Sequence, residues 1–111
     1  MLFRSYLDHG HQEMEAALRL ARELDHIPTV IHALWCAAEL YQVRREPRKV
    51  EEFTDVLLQL LSQHGSAVSS ANAAMLRGWA KVMRGQDQKG LREVQDGLAA
   101  WRATKIGRAH V

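Results

Sequence analysis

Cysteine is nearly missing from this chain: Cys36 is the only one in 111 residues. A lone thiol excludes a disulfide framework and a cysteine-built zinc site. Prolines number two, Pro28 and Pro47, and aromatic residues make up only 6%. No apolar run approaches the roughly 18 residues that cross a bilayer. Polar residues such as His32 and Glu39 interrupt the longest ones. The opening MLFRSYLDHGHQE has no signal-peptide core. These absences predict a cytoplasmic protein with no membrane partner.

A strong net charge is missing too. The 15 basic residues exceed the 13 acidic ones by two, and Lys105 and Arg108 of the last seven residues account for that surplus. The ending IGRAHV reads like a translated sequencing adapter, so residues 105–111 are set apart as a non-native tail. Residues 1–104 are then one domain, balanced at 13 basic and 13 acidic residues, and the basic excess that would suggest a nucleic-acid partner is gone. What the chain does have is 47% hydrophobic and 25% charged residues, which excludes disorder.

Those apolar residues recur at helical spacing. Met14, Ala17, Leu18, Ala21 and Leu24 stand three and four apart and predict a helix over 8–24. Pro28 suits the first turn of a second helix over 29–44, striped by Val30, Ala33, Leu34, Ala37, Ala38 and Tyr41. Arg45-Glu46-Pro47 reads as a turn. Val50, Phe53, Val56, Leu57, Leu60 and Leu61 stripe a third helix over 48–63, with Gly65 as its left-handed terminator. A fourth helix over 68–84 carries Ala71, Ala74, Met75, Gly78, Trp79 and Val82, and Gly85 closes it. Asp87 is the expected N-cap of a fifth, running to Thr104 with Leu91, Val94, Leu98 and Trp101. Period-two alternation is absent, so no strand is expected.

The punctuation repeats at an interval of 40. Ser5, Arg45 and Gly85 align at a turn, and Gly10, Val50 and Gly90 follow. Ala17, Leu57 and Gly97 align next, then Ala21, Leu61 and Trp101. Glycine inside a helix costs about 1 kcal/mol against alanine. Gly78, Gly90 and Gly97 in one hairpin therefore predict close helix packing.

Gly78, Gly85, Gly90 and Gly97 occupy the small-residue and turn positions of the tetratricopeptide repeat, which this stretch resembles. It departs from that motif at Ala74 and Arg77, where an aromatic residue and a leucine are usual. Its period is also nearer 40 than the usual ~34. Over about 5–104 the runs ARELDHIP, LYQVRREP, LRGWAKVMRGQ and GLAAWRAT resemble the helical repeat region of large bacterial signalling proteins. In those proteins such repeats accompany ATPase, cyclase or kinase modules, none of which lies in these residues. The resemblance implies an all-α fold of about five helices, with antiparallel hairpins stacked as a tetratricopeptide-like, right-handed solenoid. It also implies an interior fragment of a longer array, with ends that could self-associate.

Chemistry-bearing patterns are few. Gly85-Gln86-Asp87-Gln88-Lys89-Gly90 lacks the order of a phosphate-binding loop. The six histidines form no metal-ligand spacing, so neither metal nor cofactor is expected. Cys36 reads as buried packing, and Glu51 and Glu52 as solvated residues. No catalytic set is expected, so the chain is not read as an enzyme.

Trp35 and Trp79 lie on the first helix of each hairpin. By the resemblance, a concave groove would be lined by His32, Trp35, Glu39, Gln42, Asn72, Met75, Trp79 and Val82. The other reading places Trp79 and Met75 in the core between hairpins. The expected function is a non-catalytic interaction or regulatory module that binds a peptide, a partner domain or another part of its parent chain. The alternative is the ligand-sensing repeat region of a transcriptional regulator.

Overall fold

The computed structural model describes residues 12, 15, 16, 19, 20, 22, 23 and 25–109, and these are helical or in turns, with no strand among them. The described residues within 12–23 are helical; the rest of the expected first helix, and the first unit of the 40-residue register with Ser5, Gly10 and Ala17, lie outside the described residues. Four long helices follow: α1 (Ile27–Val43), α2 (Pro47–His64), α3 (Ala67–Met83) and α4 (Asp87–Arg102). A single turn of helix, α5 (Lys105–Ala109), occupies the tail set apart above. None of these is long and apolar enough to cross a membrane.

The main packing joins helices adjacent in sequence: α1 with α2, α2 with α3, and α3 with α4. The core lies where α1, α2 and α3 meet. Leu34, Ala37, Tyr41, Val50, Leu57 and Ala73 are almost fully buried there, and Trp35, Phe53, Leu76 and Trp79 pack around them. The Tyr41 and Phe53 rings stack at 5.4 Å, joining α1 to α2. Thr54, the one buried polar residue of this core among those described, donates its hydroxyl to the carbonyls of Val50 and Glu51 at 2.8 and 3.2 Å. Its burial is therefore met inside its own helix.

The turns after α1 and α3 are the same turn. The Arg45 amide bonds the Gln42 carbonyl and the Glu46 amide bonds Tyr41. Forty residues later the Gly85 amide bonds Val82 and the Gln86 amide bonds Lys81. Both are Schellman closures, which satisfy the last helix carbonyls and require a left-handed residue. That residue is Gly85 (φ 85°) in one turn and Arg45 (φ 60°) in the other. Glycine takes this conformation freely, whereas a side chain there costs about 1–2 kcal/mol.

Several local expectations are corrected. Gly65 is not left-handed: at φ −109° it is extended, and Ser66 after it caps α3 by accepting the Ser69 amide at 3.1 Å. Asp87 is not the N-cap of α4. Gln86 holds that position, and Asp87 lies in the first turn, where its charge opposes the helix dipole's positive end. Pro47 belongs to the first turn of α2, where its missing amide proton costs nothing.

The glycines pack as expected. A side chain at Gly90 would lie 2.6 Å from the Gly78 carbonyl oxygen and 2.7 Å from the Val82 nitrogen. One at Gly78 would lie 2.8 Å from the Gly90 oxygen. The α3 and α4 backbones touch here because neither residue carries a Cβ.

Candidate interaction groove

The eight residues expected to line a groove fall into an exposed and a half-buried set. Trp35 and Trp79 are half-buried and pack on the core cluster. Met75 and Val82 face α4: a side chain at Gly97 would lie 2.7 Å from Met75 Cγ, and one at Gly90 the same distance from Val82 Cγ2. They fill the seam of their own hairpin. His32, Glu39 and Asn72 are exposed, and Gln42 is half-buried.

His32 has a different neighbour. Its Nε2 lies 3.6 Å from Cys36 Sγ, and Cys36 is half-buried, which corrects the reading of this thiol as core packing. Residues four apart on a helix share a face, so the spacing already held this contact. A nucleophile–base pair also needs a group that orients the base. No such partner meets His32 among the described residues.

An open groove lies along α3. It encloses about 660 Å³ and is open to solvent. Ala67, Ser70, Ala71 and Ala74 of α3 form its floor, with Gly97 and Ala100 on the α4 side and Leu58 on the α2 side. Its small residues make it wide. None of the eight expected residues borders it.

Ion pairs close one end. Arg77 of α3 bonds Asp55 of α2 at 3.0 Å and Glu93 of α4 at 2.5 Å. Lys81 also reaches Glu93, at 2.7 Å. Arg84 meets Glu51 of α2 at 2.5 Å, so Glu51 is a cross-helix partner and not the solvated residue expected. The basic stripe of α3 is thus held by carboxylates from both neighbouring helices. Burial opposes the Arg77 charge, but its bonds to Glu93 and Asp55 outweigh that and raise its pKa above the ordinary value. These charges read as solvated in one dimension; only the packing of three helices reveals their pairing.

Lys89 and Arg92 of α4 also border the groove. Both are exposed, and neither has an ion-pair partner among the described residues. The Tyr41 hydroxyl donates to Glu15 Oε1 at 2.9 Å. Burial, then the Glu15 hydrogen bond and charge, push the phenol pKa well above its ordinary value. Among the described residues, no group of three or more His, Cys, Asp or Glu side chains converges as metal ligands would. Comparison with protein families, with characterised proteins and with solved structures finds no match for this chain.

Proposed function

We propose that this chain is a non-catalytic interaction module: helical hairpins stacked in a tetratricopeptide-like, right-handed solenoid that binds a peptide or partner domain within a larger signalling protein. The observation that carries this reading is the turn that recurs bond for bond after 40 residues. Hairpins closed by one turn geometry at a constant interval, each packed on its sequence neighbours, are the units from which repeat stacks grow. A cross-helix acid recurs at the same interval: Glu15 reaches Tyr41 of α1, and Asp55 reaches Arg77 of α3. The contacts are offset by about one helical turn, since Tyr41 corresponds to Lys81, and they support a helix that packs on α1 from before it.

Repeat stacks work by surface, and the open groove along α3 offers one. Its volume also falls in the range of small-ligand pockets, about 300–1,000 Å³. Its open, three-helix walls favour a macromolecular partner over the small effector of a transcriptional regulator.

Selection of a random peptide library on the full chain tests the proposal, with the footprint mapped by amide chemical shifts. The expected result is saturable binding that perturbs faces of at least two neighbouring helices. Selected sequences that bind no better than their scrambled controls would overturn it. A thermal shift with small metabolites, without peptide binding, would favour the sensing alternative.

A further inference from the structure

The groove beside α3 is a core position left empty. In the 40-residue register its Ala71 and Ala74 stand where α1 has Ile31 and Leu34, and Gly97 stands where α2 has Leu57. Leu34 and Leu57 are fully buried, and Ile31 packs against them. The first hairpin fills this space with its own aliphatic side chains. The second presents only the methyl groups of Ala71 and Ala74 there, and the space above them stays open, while Gly97 itself is closed by Met75.

The rim differs as well. Arg77 and Lys81 are held by Asp55 and Glu93, whereas Lys89 and Arg92 are exposed and unpaired among the described residues. Cations border the groove in excess over Glu93 and Asp96.

Resting on the reading of the chain as an interaction module, we infer that this groove docks an acidic amphipathic helix from a partner protein. Its leucine or isoleucine side chains occupy the space that Ile31 and Leu34 fill in the first hairpin. Its carboxylates meet Lys89 and Arg92. A helix fits because the floor runs along α3 from Ala67 to Lys81, about 21 Å at 1.5 Å per residue. The small residues of that floor let another helix axis approach closely, as Gly78 and Gly90 already do. Apolar anchors three and four residues apart are the usual currency of such grooves.

Two labelled synthetic peptides test this by fluorescence anisotropy on the full chain. One carries leucines at helical spacing with glutamates elsewhere; its twin has lysine for each glutamate. The glutamate peptide is expected to bind roughly ten-fold tighter than its twin, because rim charge attracts one and repels the other. The double variant Lys89→Glu, Arg92→Glu should reverse that order.

Ala74→Leu installs the first hairpin's residue in the open space. It should abolish binding while raising Tm, which separates a filled groove from a lost fold. Equal affinity of the twins, an unreversed order in the double variant, or full binding by Ala74→Leu would overturn the inference. Library-selected peptides that bind Ala74→Leu as well as the parent would overturn this groove assignment while leaving the interaction reading intact. Absence of any peptide binding would remove both. Self-association that Ala74→Leu abolishes would assign the groove to a second copy instead, and would equally overturn the acidic partner.

Discussion

The two hairpins share a turn and a register but hold their helices together differently. The first, α1 with α2, is built on bulk: Leu34, Tyr41, Val50 and Leu57 are buried to 1% exposure or less. The second, α3 with α4, is built on proximity. Gly90 and Gly97 take the places of Val50 and Leu57, and backbone meets backbone. Polar residues follow the same division. Tyr41 in the first hairpin corresponds to Lys81 in the second, and Ala37 to Arg77. The first hairpin hides a phenol; the second displays cations tied by carboxylates. The same turn thus closes either a filled interior or a close seam with a groove beside it. What the second hairpin gives up in buried aliphatic volume it leaves open at its surface.

Substitutions at matched positions can break this contrast. Leu57→Ala should be the most damaging, costing about 2–5 kcal/mol through lost burial and a cavity, as read by urea denaturation. Its register partner, Gly97, cannot be truncated, so the matching test is insertion. Gly90→Ala should destabilise by about 1–3 kcal/mol, because the new methyl meets the Gly78 oxygen and the Val82 nitrogen, and backbone cannot rotate away. Alanine is otherwise better than glycine in a helix by about 1 kcal/mol. Net stabilisation by Gly90→Ala would therefore show that the seam is looser than described.

A third comparison sharpens the shared turn. Arg45 is left-handed, exposed and without a side-chain partner among the described residues. Arg45→Gly should stabilise by about 0.5–1 kcal/mol, the relief at φ being partly offset by unfolded-chain entropy. Gly85→Ala should move stability the other way, and denaturation midpoints of the pair report both.

The smallest effect concerns Tyr41, and it is read from the pH dependence of stability in alkali. Its folded pKa is raised above the unfolded value of about 10. The contribution is fully present below that pH and is lost as pH rises beyond it, because the unfolded chain releases the proton first. Between about pH 10 and 12 the parent should therefore lose stability more steeply than Tyr41→Phe, measured by thermal melts across that range.

Much of the helical frame was legible in the chain itself. The stripes from Val30 to Tyr41 and from Val50 to Leu61 placed α1 and α2 within a few residues, because burial on one side of a helix imposes the period. Gly85 and the glycines of the seam were legible too, since a helix carries glycine at a cost. The Gly65 expectation failed because Ser66 offered a cap for the next helix and the chain stayed extended to reach it. The Arg77, Lys81 and Glu93 cluster was illegible because its members are brought together from different helices, and a charge in sequence looks the same solvated or paired. The groove was missed for another reason. Attention falls on large side chains such as Trp35 and Trp79, whereas the groove is made by small ones. Its signal lay in the register, where Ala71 and Ala74 stand in the places of Ile31 and Leu34.

The matched turns carry a consequence for how such a chain can be edited. Each turn closes its own carbonyls through amides two and three residues beyond the helix end. A cut after Arg45 and another after Gly85 therefore sever the same bonds at the same point of the same geometry. Joining Arg45 to Gln86 regenerates the amide-to-carbonyl pattern with no orphaned group at the splice, and duplicating 46–85 does the same in the opposite direction. The backbone is punctuated so that α2 together with α3, one helix from each hairpin, is the unit of insertion and deletion. At the level of these turn bonds, length can then change in steps of 40 residues.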